Sequence, residues 1–409
     1  MKSILTTVAL FVALIHTTIA QFSDAALHRL QVDVVYLASD YLGGREAGTS
    51  GEMLAAEYIA RRFEAIGLSP KGDKNGWLQA FDFKYNSNPH AAGGEMRKGH
   101  NVVGYIDNRA KTTIVIGAHY DHLGKGEFGS RHTGEAAIHN GADDNASGVA
   151  ALLYIAERLK SSKAKKNNYL FIAFSAEELG LIGSKAYVAA PTFDLATANY
   201  MLNMDMVGRL NAESTLAING AGTSPIWKET LSKITAGNLK ITTTDSGVGP
   251  SDHTSFYLKD IPALHFFSGQ HTDYHKPEDD AELINFEGIK RISDYMVALV
   301  ESLDKSGKLA FTKTKDEQEG KQAARFKVSL GVMPDYVYTG EGLRVDDVIS
   351  GRTAEKAGLQ RGDIIIEIGD TKVTDIYSYM EGLAKFKAGD KTTVVAKRGE
   401  ELIKAQVEF

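Results

Sequence analysis

The sequence predicts an α/β fold, with a mostly parallel, mixed sheet and helices on both of its faces, followed by a small β-rich unit. Three observations carry this. Runs such as Thr112–His119 (TTIVIGAH) and Asn168–Ser175 (NYLFIAFS) are continuously apolar, as central strands covered on both faces must be. They alternate with stretches of helical periodicity, the pattern of strand, crossover helix and parallel strand. Beyond residue 304 the chain turns densely charged, then resumes as short alternating strands over 326–409.

Residues 1–20 read as a secretory signal. Lys2 gives a positive start, Ile4–Ile15 an apolar run too short to span a bilayer comfortably, and Thr18-Ile19-Ala20 small residues for cleavage. The mature chain is then expected to be secreted or periplasmic, without a membrane span. Residues 25–38 have helical spacing. Leu42–Gly51 (LGGREAGTSG) is a glycine-rich turn, and Glu52–Ile66 a helix stopped by Gly67. Trp77–Tyr85 alternates like an edge strand, Asn86–Lys98 is a polar loop, and His100–Ile106 is a strand. Ala198–Met206 and Ile261–Ser268 complete the strands, with helices at Ser147–Lys160, Gly183–Ala190, Ile226–Ala236 and Phe286–Leu303. Asp304–Arg325 reads as a solvated linker or polar helix.

The chain has 409 residues, enough for two domains, and 43% hydrophobic residues, enough for a large core. A net charge of -6 with both signs interspersed argues against nucleic acid or an anionic membrane surface as partner. The sequence contains no cysteine, which removes disulfides, thiolate ligands and a thiol nucleophile.

Ligands of open α/β sheets bind beyond the carboxyl ends of the strands. His119, Glu178 and Asp205 fall at such ends, Asp143 stands at the entrance of the next helix, and His275 lies in a loop after a strand. Five ligands of mixed imidazole and carboxylate type are too many for one tetrahedral zinc. They fit two metals sharing one carboxylate, a pair roughly 3.5–4 Å apart. Asp121 is placed to orient His119, and Glu177 can face a water rather than a metal. His122, His132, His139, His253 and His271 are read as surface or supporting histidines, and Asp144, Asp273, Asp279 and Asp280 as hydrogen-bond supports. Met206, Phe266 and Phe267 could equally line a pocket or the core.

GAHYDHLG (Gly117–Gly124), GADDNASGVAALL (Gly141–Leu153), FSAEELGLIGS (Phe174–Ser184), NMDMVGR (Asn203–Arg209) and YHKPEDD (Tyr274–Asp280) together resemble the ordered motifs of the M28 family of di-zinc peptidases. The resemblance covers about residues 25–303 and implies a zinc-exopeptidase fold and two Zn2+ per chain. It implies that Asp143 bridges the zincs, with His119 and Asp205 completing one site and Glu178 and His275 the other. Glu177 would be the general base that takes a proton from the bridging water and passes it to the leaving amine, Asp121 the support of His119, and Tyr274 a donor to the oxyanion. A cis peptide after the bridging aspartate, Asp143–Asp144, is also implied.

SLGVMPD (Ser329–Asp335), Gly342–Val373 and KTTVVAKRGEEL (Lys391–Leu402) resemble a PDZ domain, with Ser329–Val332 at its carboxylate-binding loop and Ser329 standing where the family has glycine. The resemblance implies a peptide ligand there, or a structural appendage. The expected arrangement is thus a signal over 1–20, a peptidase domain over 21–303, a linker over 304–325 and a PDZ-like domain over 326–409. The activity implied is that of an exported metallo-aminopeptidase acting on peptide or protein. A carboxypeptidase of the same family, a glutaminyl-cyclase-like acyltransferase on the same fold, and a silent binding protein are the competing readings.

Overall fold

The computed structural model describes residues 25–86, 94–314, 328–334, 338, 340–348, 352–374 and 376–409. The signal expected over 1–20 and the second half of the linker lie outside them.

Helix α1 (25–37) and α2 (Ser50–Ile66) lead into β1 (Ser69–Pro70) and the hairpin β2 (Leu78–Tyr85) and β3 (Glu95–Ile106). Thr49 caps α2 through its side chain, and Gly67 ends it at φ 86, a left-handed conformation that glycine adopts without steric cost. Then come β4 (Thr112–His119), α3 (Gly148–Ser161), β5 (Asn167–Phe174), α4 (Ile182–Ala189) and β6 (Ala198–Met204). The domain closes with β7 (Thr215–Asn219), α5 (Trp227–Lys233), β8 (Lys240–Thr243), α6 (His253–Tyr257), β9 (Ala263–Phe267) and α7 (Phe286–Ser302).

The sheet order is β1-β3-β5-β4-β6-β9-β7-β8, with β2 on β3. Strands β5, β4, β6 and β9 are mutually parallel, while β3 and β7 join this centre antiparallel. Alternation sends Ile114 and Ile116 of β4 into the larger core with α2, α3 and α7, and Val115 into the core under α4 and α6. Both faces are therefore covered, as expected.

Three details differ from the sequence reading. β3 begins at Glu95, inside the expected loop, because its first eight residues pair with the whole of β2. β7 and β8 are too short and too plain in pattern to stand out alone; pairing with β9 and with each other defines them. The first part of the expected linker packs on the domain. Leu309 is buried, and Thr314 bonds with Tyr257 and Gly247. Leu309 and Phe311 supply apolar anchors within a polar stretch.

The C-terminal unit is an antiparallel sheet of β10 (Val332–Pro334), β11 (Leu343–Val348), β12 (Ile364–Ile368), β13 (Thr371–Lys372), β14 (Lys391–Arg398) and β15 (Glu401–Glu408). Helices α8 (Thr353–Lys356) and α9 (Ile376–Ala384) accompany it. Asp363, fully buried, receives Arg398 Nε and Nη2 at 2.7 and 2.9 Å, a two-point pairing that fixes the start of β12. In the 329–332 loop Leu330 is buried, its carbonyl accepts Ala354 N–H, and Gly331 (φ 76) donates its N–H to Ser329 Oγ at 3.1 Å.

Candidate metal centre

The rim at the carboxyl ends of β4, β5 and β6 gathers the chemistry. His119 is the last residue of β4 and Asp205 follows β6. After β5 the chain turns through Ala176 at φ 55, a left-handed conformation uncommon for a side chain with Cβ, and presents Glu177 and Glu178. The turn is held by Asp121, whose Oδ1 and Oδ2 accept the N–H groups of Glu177 and Glu178 at 3.0 and 3.4 Å.

His119 Nε2 lies 3.2 Å from Asp144 Oδ1 and 3.3 Å from Asp205 Oδ1. His275 Nε2 lies 3.2 Å from Asp144 Oδ2 and 3.1 Å from Glu178 Oε2. Each oxygen of Asp144 thus faces its own imidazole–carboxylate pair. Ligand atoms 2.0–2.1 Å from a tetrahedral zinc are about 3.3 Å from one another, so both sets have the edges of a coordination shell. His275 Nε2, although this close to two carboxylates, has no hydrogen-bond partner of acceptable geometry among the described residues. Its Nδ1 sits 2.9 Å from the Gly129 carbonyl, which assigns the proton to Nδ1 and leaves Nε2 free to ligate. Ligand-type atoms of His119, Asp144 and Asp205, and of His122, Asp144 and Glu178, fall within 4.8 Å of one another.

The electrostatics ask for positive charge. Burial opposes the charged imidazole of His119, yet Asp205, Glu177, Asp121 and Asp144 raise it well above the usual histidine range. His275 is likewise raised to about 10 against its burial, chiefly by Glu178 and Asp144. Burial favours the neutral acid at Asp144 and Glu178. The histidines nonetheless hold Asp144 well below the usual carboxylate range and Glu178 at about 2. Protons on the imidazoles satisfy this demand, and divalent cations meet it better. Glu177 behaves otherwise: burial, with the nearby acids Asp205, Asp252 and Glu178, pushes it well above the usual range.

Four of the five residues expected as ligands, His119, Glu178, Asp205 and His275, are brought together. Asp143 is not, and this corrects the reading. Its Oδ1 accepts Gly208 N–H at 2.6 Å and the Ser147 hydroxyl at 2.9 Å, and its Oδ2 faces His271 Nε2 at 3.2 Å. Asp144 takes its place, and the cis peptide lies between Asp144 and Asn145. Neighbouring aspartates look alike in sequence, and the path of the Ala142–Ser147 turn, entered through Gly141 at φ 55, decides which one faces the rim. One sequence signal was available: Asp143 stands four residues before Ser147, within reach of its hydroxyl.

Asp121 differs in detail. The nearest acceptor to His119 Nδ1 is the Asp121 carbonyl at 3.3 Å; its carboxylate is at 3.7 Å and serves the Glu177–Glu178 turn. Tyr274 stacks on His275 at 3.8 Å between ring centroids and lines the cleft. Met206 and Phe267 also line it, whereas Phe266 is buried in the core. Of the supporting acids, Asp279 accepts the N–H groups of both Asp143 and Asp144 at 3.0–3.1 Å, Asp273 pairs with Arg209, and Asp280 holds Asn140. His132 and His139 lie outside the cluster, and His253 stacks on His265 beneath it.

The sequence reading gave no role to Arg45, in the GREAGTSG turn. Its guanidinium, 1% exposed, donates to the carbonyls of Leu37, Tyr120, Asn140 and Gly141, tying the segment after β4 to the aspartate turn. Burial pulls its pKa down to about 10, while Asp121, Asp144, Asp279 and Glu178 favour the charge. Arg45→Met leaves four buried carbonyls without this donor, and is expected to lower stability by about 3 kcal/mol in urea unfolding of the metal-free chain.

The cleft encloses about 530 Å³ of empty space including its mouth. Among the described residues its lining comprises His119, Asp144, Glu177, Glu178 and Asp205, with walls of Met206, Phe267, Pro250 and Tyr274 and polar Asn219, His265 and Gln270. Among the described residues no lysine or arginine lines it.

A doubly covered α/β domain with paired imidazole–carboxylate sets at its strand rim is a scaffold suited to a metal site. Residues 101–300 match the model of peptidase family M28, and residues 310–409 match that of the PDZ domain. The chain thus has an M28-like segment followed by a PDZ-like one. It is 33% identical over 200 residues to Aminopeptidase YwaD of Bacillus subtilis, covering 46% of this chain and 40% of that one. It is 27% identical over 250 residues to Leupeptin-inactivating enzyme 1 of Streptomyces exfoliatus, covering 60% and 49%. The chain thus spans less than half the length of these relatives. Among solved structures it resembles the zinc aminopeptidase BSAP of Bacillus subtilis, with TM-score 0.54 and 20% identity over 69% of this chain and 95% of that one. It resembles Porphyromonas gingivalis glutaminyl cyclase equally, at TM-score 0.54 and 18% identity over 68% and 97%. Identities this low show a shared fold.

Proposed function

We propose that the chain is an exported, zinc-dependent exopeptidase that removes N-terminal residues from peptides. The observation that carries this is the two-sided placing of Asp144, each oxygen 3.2 Å from a different imidazole. His119, Asp144 and Asp205 would hold one zinc, and Asp144, Glu178 and His275 the other. Zinc bound there supplies Lewis acidity toward the scissile carbonyl and lowers the pKa of a water to roughly 7.

The protein's own residues do the rest. Glu177 reaches the cleft without belonging to either ligand set, so its carboxylate takes the proton of the attacking water and delivers it to the leaving amine. Asp121 keeps Glu177 and Glu178 in place through their main-chain N–H groups. Tyr274, held flat on His275, donates to the developing oxyanion. A cleft rich in carboxylates, whose lining among the described residues includes no Lys or Arg, suits a free α-ammonium better than a C-terminal carboxylate. This favours aminopeptidase over carboxypeptidase action.

The same reading takes residues 21–303 as the peptidase and 326–409 as a PDZ domain that binds peptide, joined through 304–325. The positive start and apolar run of residues 1–20 support export to the periplasm or medium. Among the described residues no helix is long and apolar enough to cross a membrane.

A panel of free and N-blocked peptides, assayed with and without chelator alongside metal counting, tests the proposal. Chelator is expected to abolish hydrolysis of free N-termini, and zinc to restore it, at two zinc ions per chain. Cleavage of blocked peptides alone would overturn the aminopeptidase reading. Full activity with one zinc and cyclisation of N-terminal glutamine would favour the acyltransferase that shares this fold.

A further inference from the structure

Resting on the two-cation reading above, we infer that His122 is a positioning residue that restricts Glu178 to one ligating oxygen. The two oxygens of Glu178 have different partners. Oε2 is 3.1 Å from His275 Nε2, the spacing of two ligands on one cation. Oε1 is 2.8 Å from His122 Nδ1 with good hydrogen-bond geometry. His122 Nδ1 is also 3.9 Å from Asp144 Oδ2, longer than the roughly 3.3 Å edge expected between two atoms on one tetrahedral zinc. The imidazole therefore serves Glu178 rather than the cation that Asp144 and His275 share.

The ring is closely surrounded. His122 is 2% exposed, and its main-chain N–H donates to the Arg45 carbonyl at 3.3 Å. The ring lies over Gly141, where a Cβ would approach its carbons to 2.5 Å. Among the described residues Nε2 has no hydrogen-bond partner, so the proton belongs on Nδ1, where Glu178 accepts it. A carboxylate free of that bond could turn both oxygens to the cation and fill a position that substrate needs. Held by His122 it stays monodentate, and Glu178 Oε1 is spared burial without a donor.

The test is a zinc titration of the full metal-free chain against a chromophoric chelator, for wild type, His122→Leu and His122→Asn. Wild type is expected to bind two zinc ions. His122→Leu should weaken one site by roughly 10–100-fold while leaving the other within about twofold. His122→Asn, whose amide N–H occupies nearly the place of Nδ1, should recover most of the loss. Thermal unfolding of the metal-free variants checks that each is folded. A leucine variant with both affinities unchanged overturns the role of His122 and leaves the two-zinc reading standing. Equal weakening of both sites without rescue by asparagine overturns it too, since that marks a general structural defect. A wild type that binds only one zinc overturns both.

Discussion

Asp144→Asn is expected to lose bound zinc and with it peptidase activity, while Asp143→Asn keeps its zinc. An amide has one oxygen to offer and no negative charge, so it cannot serve two cations as the Asp144 carboxylate is placed to do, with oxygens 3.2 Å from His119 and from His275. The loss of affinity should exceed the roughly 10–100-fold typical of removing a supporting hydrogen bond. Asp143 is bound to Ser147, Gly208 and His271, and its replacement loosens the aspartate turn. The expected cost there is about 1–3 kcal/mol of stability. Metal analysis of the two purified variants beside denaturant unfolding separates them. Zinc lost from the Asp143 variant and retained by the Asp144 variant would reverse the assignment.

Glu177→Gln is expected to lower kcat by roughly 10²–10⁴-fold with metal content unchanged. The substitution preserves shape, and the main-chain bond from Glu177 N–H to Asp121 is untouched, so the turn should persist. What is lost is a carboxylate at the cleft that can accept a proton. Burial with the neighbouring acids already pushes this group well above the usual range, which brings its basicity closer to that of the water it must deprotonate. Steady-state kinetics on a free N-terminal peptide, with zinc counted in the same preparation, reads both quantities. Wild-type turnover in the variant would remove Glu177 from the mechanism.

Much of this was legible before any coordinates. Continuous apolar runs fixed the strands of the sheet centre, because a strand covered on both faces has no polar side to show. Ligand-type residues just beyond three of those strands marked the rim, because open α/β sheets bind there. Short strands such as Thr215–Asn219 were not legible, since pairing rather than propensity defines them. Nor was Arg45, because a lone arginine in a glycine-rich turn gives no sign that four carbonyls will converge on it.

The sequence by itself determined the alternation of strands and helices, the residue types at the rim, and hence the demand for cations. Only the tertiary structure decided which of the two neighbouring aspartates does what, and what stands behind Glu178: Asp144 faces the rim and Asp143 the turn, and His122 bonds to Glu178. The reason is physical. Composition and spacing constrain which groups reach a place, whereas a single residue's direction depends on backbone dihedrals, as at Gly141 and Ala176, that the whole fold imposes.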